Sequence, residues 1–268
     1  MAPLDGILIL DLTHVLAGPF ASQSLQDLGA RVIKVERPGT GDDTRAFPPF
    51  LAGESAYFAT LNAGKQSIAL DLKADADRAI FERLVAHADI LLENYRPGVM
   101  ARLGYGWEVL HARHPRLIYA AVSGFGQTGP DALKPAYDMV VQARGGVMSI
   151  TGETGGPPVR VGASIGDIVA GMYLAQGVLA ALYERERTGE GAFLGHVAHQ
   201  HDGGSAGLGR ARQLGRALAH LRHRAGRAGE LLGVHGLDRV DHRDGRLRVG
   251  QRGEDLFQLD FGQHADLR

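Results

Sequence analysis

PLDGILILDLTHVLAGPFASQSLQDLGARVIKVE, residues 3–36, is the stretch that decides the fold. Gly6–Leu12 (GILILDL) is a continuous apolar run, the pattern of a strand buried on both faces. Pro19–Leu28 follows with helical spacing and stops at Gly29, a helix-ending residue. Arg31–Glu36 (RVIKVE) is a second strand. Strand, helix and strand in so short a span form a parallel crossover unit.

The pattern repeats outward from there. Pro38, Gly39 and Gly41 mark a loop. Ser67–Leu72 (SIALDL) is expected to be a third strand. Asp75–Ala88 is expected to be a helix, with Ile80, Phe81, Leu84, Val85 and Ala88 on one face and acidic residues at its start. Asp89–Glu93 and Leu117–Val122 are a fourth and a fifth strand. The expected fold is α/β: a Rossmann-like, mostly parallel sheet flanked by helices. Ligands of such sheets bind at the carboxyl ends of the strands. The loops of interest are therefore residues 13–19, 37–45, 94–98 and 123–130. The apolar stretch Ile168–Tyr183 carries Gln176 and two glycines, and is short for a membrane span. It is read as a buried helix.

Composition bounds the chemistry. The chain has 268 residues, 44% of them hydrophobic, and a net charge of -1, which argues against a nucleic-acid partner. It contains no cysteine, so disulfides, thiolate metal sites and a cysteine nucleophile are excluded. The start MAPLDG runs straight into the first strand, and no signal peptide is expected. Together with the missing cysteines this gives a cytoplasmic location as the expectation.

Residue usage breaks near position 192. The 76 residues from Phe193 to Arg268 hold no Lys, Ile, Met, Pro, Thr, Asn, Tyr or Trp, although the preceding residues hold 48 of these. They hold 8 of the 12 histidines and 12 of the 25 arginines. The expected organisation is an α/β domain over residues 1–192 and an Arg/His/Gly-rich region over 193–268 of uncertain fold. That region is open to three readings: a second domain, a low-complexity and partly disordered arm, or an out-of-frame translation. The spacing His196-x-x-His199-x-His201 lies in it, and no carboxylate or thiolate context beyond Asp202 makes it a metal site. No metal is expected.

The residues leave several roles open. Glu36 ends the second strand as in dinucleotide-binding folds, but the turn Thr13–Pro19 holds one glycine where G-x-G-x-x-G is required. The missing glycines argue against a nicotinamide or flavin enzyme. Arg37 can hold a phosphate or be a solvated loop arginine, and Lys73 and Arg102 share that ambiguity. His14 can orient a ligand or bond to a neighbouring carbonyl. Asp167, in VGASIGDIVAG (161–171), is either the N-cap of the helix that follows or a reactive carboxylate. In the second case small neighbours give it access, and the helix N-terminus keeps it ionised.

Five segments carry a resemblance: residues 3–45, SIALDLK, ENYRPG, SGFGQTGP with YDMVVQARGG, and VGASIGDIVAGMYLAQGVLAALYERERTGEG. In this order they resemble the class III CoA-transferases of the CaiB/BaiF type, over about residues 3–192. The resemblance implies that Asp167 is the catalytic carboxylate. It would attack an acyl-CoA thioester and pass through aspartyl anhydride and aspartyl-CoA intermediates. It implies CoA contacts at His14, Leu16, Ala17, Arg37, Leu70, Lys73, Asn94, Tyr95, Arg102, Lys134 and Tyr137. It further implies acyl-CoA and a small carboxylic acid as substrates, no tightly bound cofactor, no membrane, and a homodimer of interlocked subunits. The return segment that the dimer requires has no match in the tail. The racemase branch of the same fold is expected to show histidine before Asp138; Tyr137 stands there, which favours transfer. The resemblance ends where the composition breaks, so a frameshifted or truncated product, and with it an inactive CoA-binding remnant, is also an expectation.

Overall fold

In the computed structural model the described residues are 1–197 and the backbone of three tail strands. Contacts divide the chain into two units, Met1–His201 and Asp202–Arg268. The first unit contains β1 (Leu8–Asp11), α1 (Ala17–Asp27), β2 (Arg31–Glu36), β3 (Phe50–Leu51), β4 (Glu54–Ser55), α2 (Ala56–Asn62) and β5 (Gln66–Ala69). It continues with α3 (Asp75–Val85), β6 (Ile90–Glu93), α4 (Val99–Arg102), α5 (Trp107–Arg113), β7 (Ile118–Ser123), α6 (Asp138–Arg144), α7 (Ile165–Thr188) and β8 (Phe193–Val197).

Six strands form one parallel sheet in the order β5-β2-β1-β6-β7-β8. Counted along the chain, this is the order 3-2-1-4-5-6 of a doubly wound sheet. The order reverses between β1 and β6, so the loops that follow these two strands flank a crevice.

The apolar runs have a direct cause. Side chains alternate across each strand, and helices cover both faces. Ile9, Ile90, Leu92, Ile118 and Ala120 meet Ala21 and Leu25 of α1 and Leu174 and Val178 of α7. Leu10, Leu91, Tyr119 and Ala121 meet Phe81 and Val85 of α3 and Leu110 of α5 on the other face. The α/β expectation holds.

Several boundaries differ from the pattern. α1 starts at Ala17, so Pro19 lies in its first turn, where a missing N–H costs nothing. β5 stops at Ala69, ahead of the turn that leads to α3, and α3 ends at Val85. The sheet takes a sixth strand, β8, which pairs with β7 from Tyr119↔Phe193 to Ser123↔Val197. The composition boundary falls one residue before this strand.

α7 is 24 residues long, with the length and hydropathy of a membrane span. Its inner face is nonetheless a core face, against α1 and the sheet. At Gly171 the two helices nearly touch. A Cβ there would lie 2.5 Å from the Ala17 carbonyl oxygen and 3.1 Å from the Phe20 ring. Only glycine allows that approach.

In the second unit, β9 (Arg239–Arg243), β10 (Arg246–Gly250) and β11 (Leu256–Leu259) form an antiparallel sheet in the order β11-β10-β9. The disordered-arm and out-of-frame readings of the tail, and the side chains of His196, His199 and His201, lie outside the described residues. Among those described, no cluster of His, Asp or Glu is arranged to hold a metal ion.

Candidate active site

The crevice is built by buried charges. Asp11, at the end of β1, is fully buried. It accepts from Ser22 Oγ at 2.6 Å, Lys65 Nζ at 3.1 Å, Thr13 N at 2.9 Å and the Thr13 hydroxyl. Burial alone would raise its pKa, but Lys65, Lys34 and these hydrogen bonds prevail and hold it well below the carboxylate range. Lys34 reaches across from β2. Its ammonium is 2.9 Å from Asp42 Oδ2 and donates to the Thr13 carbonyl at 2.6 Å. Asp42 in turn accepts from Val15 N at 3.2 Å. The turn after β1 is thus fastened from below.

That turn is strained. Val15 has φ 68°, a region a β-branched residue seldom adopts. Asn94, one residue beyond β6, brackets the neighbouring residue. Its Oδ1 accepts from His14 N at 2.9 Å, and its Nδ2 donates to the His14 carbonyl at 2.7 Å. These bonds tie the two loops of the switch point together. They also present the His14 ring to Tyr95, with centroids 5.9 Å apart. Burial pushes the His14 imidazole down, against the pull of Asp42 and Asp43, which favours its neutral form.

The resulting cleft is lined by Thr13, His14, Arg37, Asp43 and Tyr95 among others. Arg37 is mostly exposed and donates to Asp43 Oδ1 at 2.5 Å. A guanidinium held there by one carboxylate at the rim is free to meet a phosphate with its remaining donors. Glu36 is used differently from a dinucleotide ligand. It accepts from Arg45, Ser67 Oγ and Asp42 N, which outweigh its burial and bring it down to about 2. Its acceptors are consumed inside the protein, in agreement with the missing glycine fingerprint.

The structure brings His14, Leu16, Ala17, Arg37, Asn94 and Tyr95 together around the switch point. Leu16 and Ala17 open α1 and are each 9% exposed. Leu70 is a correction. Its side chain is core, packed with Leu10 and Val35. Its N–H donates to the Glu36 carbonyl at 2.9 Å, so only its own carbonyl is left for a ligand. Lys73 and Arg102 are exposed and do not line the cleft. Lys134 is paired with Asp131 at 2.5 Å, and Tyr137 stands exposed just before α6.

Asp167 corrects a second expectation. The N-cap of α7 is Ser164, and Asp167 is an acidic residue inside the first turn, with no capping bond. It is half-buried and accepts no hydrogen bond from a described residue. It is not held ionised by its surroundings. Burial, and then the negative charge of Asp138, push it up to about 6. Tyr57 on α2 lies in the field of Asp167, Asp42 and Asp138, and its phenol is pushed up by burial and by these charges.

Sequence reasoning missed Tyr57, Asp138, Lys34, Asp42, Asp11 and Lys65 as parts of this region. Lys34 carried a signal, a lysine inside an apolar strand, which needs a buried counter-charge. The partner's identity was not readable.

A doubly wound sheet, a cleft at its switch point and, at the start of α7, a carboxylate with no hydrogen bond from a described residue define an α/β domain laid out to bind a ligand. Comparison with known proteins makes this particular. The profile of CoA-transferase family III matches residues 4–202, and the chain belongs to that family. It is 56% identical over 193 residues to the acetyl-CoA:oxalate CoA-transferase of Acetobacter aceti, covering 72% of this chain and 50% of that protein. It is 47% identical over 195 residues to the succinyl-CoA:glutarate CoA-transferase of Mus musculus, covering 72% and 45%. A solved structure of a CaiB/BaiF family protein from Brucella suis superposes with a TM-score of 0.71 at 42% identity, over 74% of this chain and 53% of that one. The chain spans about half the length of the curated relatives it matches.

Proposed function

We propose that this chain transfers CoA from an acyl-CoA to a small carboxylic acid, with Asp167 as the nucleophile. One observation carries the reading. Asp167 is half-buried, no described residue donates a hydrogen bond to it, and its surroundings push it up to about 6. At neutral pH such a carboxylate is ionised and more basic than a solvated one.

The steps balance as follows. An Asp167 oxygen bonds to the thioester carbonyl carbon, the C–S bond breaks, and CoA thiolate leaves with the electron pair. The thiolate then attacks the Asp167 carbonyl of the anhydride, and the donor acid departs as carboxylate. The acceptor carboxylate attacks the aspartyl thioester and again releases thiolate. That thiolate takes the acceptor acyl group, and Asp167 is restored. No cysteine, metal or bound cofactor takes part. His14, Leu16, Ala17, Asn94 and Tyr95 hold the CoA near the switch point, with Arg37 on a phosphate. Lys73, Arg102, Lys134, Tyr137 and the Leu70 backbone are further contacts in this reading.

Full-length protein incubated with acetyl-CoA, succinyl-CoA and longer acyl-CoAs, then quenched with hydroxylamine, is expected to yield a hydroxamate on Asp167 by peptide mass. Asp167→Ala is expected to lose the adduct and keep CoA binding. Absence of any adduct across the panel overturns the assignment. Solvent deuterium entering a 2-methylacyl-CoA without an adduct replaces it with proton transfer.

A further inference from the structure

Asp138 opens α6, and Asp167 lies on the first turn of α7, 29 positions later in the chain. The two are joined through a backbone bond. Asp138 Oδ1 accepts from Gly166 N at 2.8 Å, and Oδ2 accepts from Gln142 Nε2 at 2.6 Å. Gly166 is the residue before Asp167, and its N–H is one of those a helix start leaves unpaired. α7 has no side-chain cap of its own. Asp138, 8% exposed, supplies one from another helix.

The fit is close. A Cβ on Gly166 would lie 3.1 Å from Asp138 Oδ1 and 2.9 Å from Val141 Cγ1. Gln142 fixes the carboxylate in turn. Its Oε1 accepts from Val161 N at 2.8 Å, and Val161 belongs to the segment that leads into α7. Both Asp138 oxygens therefore act as acceptors, as an ionised carboxylate requires.

We propose that Asp138 is a positioning residue for Asp167. It clamps the first turn of α7 and keeps a second negative charge beside the nucleophile, a repulsion that acylation relieves. This rests on the nucleophile reading above. When an Asp167 oxygen bonds to the acyl carbon and the C–S bond breaks, the negative charge leaves with the sulfur. The aspartyl anhydride is neutral, and Asp138 no longer faces a like charge. Repulsion present before the step and absent after it favours the step.

The direction of the Asp167 shift agrees, since Asp138 is the charge that adds to burial in raising it. Among the described residues, the titratable groups that face Asp167 are Asp138 from α6 and Tyr57 from α2. α1 meets this end of α7 with Ala17 and Phe20. Arg144, the other charge on α6, is turned to Asp131 at 2.5 Å.

The test uses full-length protein and two readouts. The first is the pH dependence of Asp167 labelling by a carbodiimide with an amine nucleophile, which needs no catalysis. The second is the rate of hydroxamate formation on Asp167 with acetyl-CoA or succinyl-CoA. Asp138→Asn and Asp138→Ser are expected to move the labelling midpoint down by about one pH unit and to slow acylation by about threefold or more. Asp138→Glu restores both. Gln142→Ala removes a tether without changing charge, and leaves the midpoint in place. A midpoint within about 0.3 unit of the parent in either folded neutral variant overturns the proposal. So does a folded Asp138→Glu that loses the raised midpoint, which covers the case in which the neutral variants do not fold. If the midpoint moves as expected but no acyl-CoA ever marks Asp167, the nucleophile reading fails instead.

Discussion

Asn94 does more than its short side chain suggests. It closes both backbone polar groups of His14 and so joins the loops after β1 and β6. Asn94→Ala is expected to leave the helices and sheet intact while the His14 turn loosens. Two part-buried hydrogen bonds are lost, on the order of 1 kcal/mol each. CoA affinity is expected to fall about tenfold by calorimetry, with a small change in melting temperature. An unchanged affinity would mean that the turn is held by Lys34 and Asp42 alone. Single residues were also where the sequence was hardest to read. Asp167 could be located by its small neighbours, but nothing local separated a cap from a reactive group. Asp138 could not be paired with it, because a bond across 28 positions leaves no spacing signal. The same holds for Asp11 and Lys65, 54 positions apart.

Elements were more legible, for a physical reason. A strand covered on both faces has to be apolar at every position, so β1, β6 and β7 stand out as runs. β8 did not, because Phe193–Val197 follows the change in residue usage and carries a histidine and a glycine. Its backbone pairing with β7 does not depend on that composition. α7 was expected as a buried helix, yet it starts at Ile165, three residues ahead of the start that Asp167 as N-cap implies. Its contact with α1 depends on Gly171. Gly171→Val is expected to force the two helices apart, because a Cβ meets backbone at 2.5 Å and backbone cannot turn aside. The cost is about 1–3 kcal/mol or more of stability, read as a lowered denaturant midpoint. An unchanged midpoint would show that α1 and α7 slide freely past each other.

At the scale of the first unit, buried carboxylates of two kinds set the pH response. Asp11, Asp42 and Glu36 titrate below their unfolded values despite burial, because cations and N–H donors hold them ionised. Their contribution is present above about pH 4 to 5 and is lost as pH falls toward 2. Glu93 is the opposite kind. Burial at the end of β6 pushes it up to about 7, against hydrogen bonds from Tyr95 N and the Tyr119 hydroxyl. The folded state then binds a proton that the unfolded chain has released. Stability from this group is complete below about pH 4.5 and declines as pH rises through 7. Thermal stability is therefore expected to peak near about pH 5. Glu93→Gln is expected to flatten the alkaline side and to add on the order of 2–3 kcal/mol at pH 8. Parallel pH profiles for parent and variant would refute this origin of the decline.

Backbone contact between Ala17 and Gly171 has a last implication for substrate choice. Ala17 ends the turn that faces the cleft, and Gly171 lies one helical turn beyond Asp167. On the proposed reading, the gap between thioester carrier and attacking oxygen is thus set by main-chain atoms of this chain. Selection among acids could not then come from stretching that gap. It would have to be written in the side chains around the acyl group, on a ruler whose length does not change.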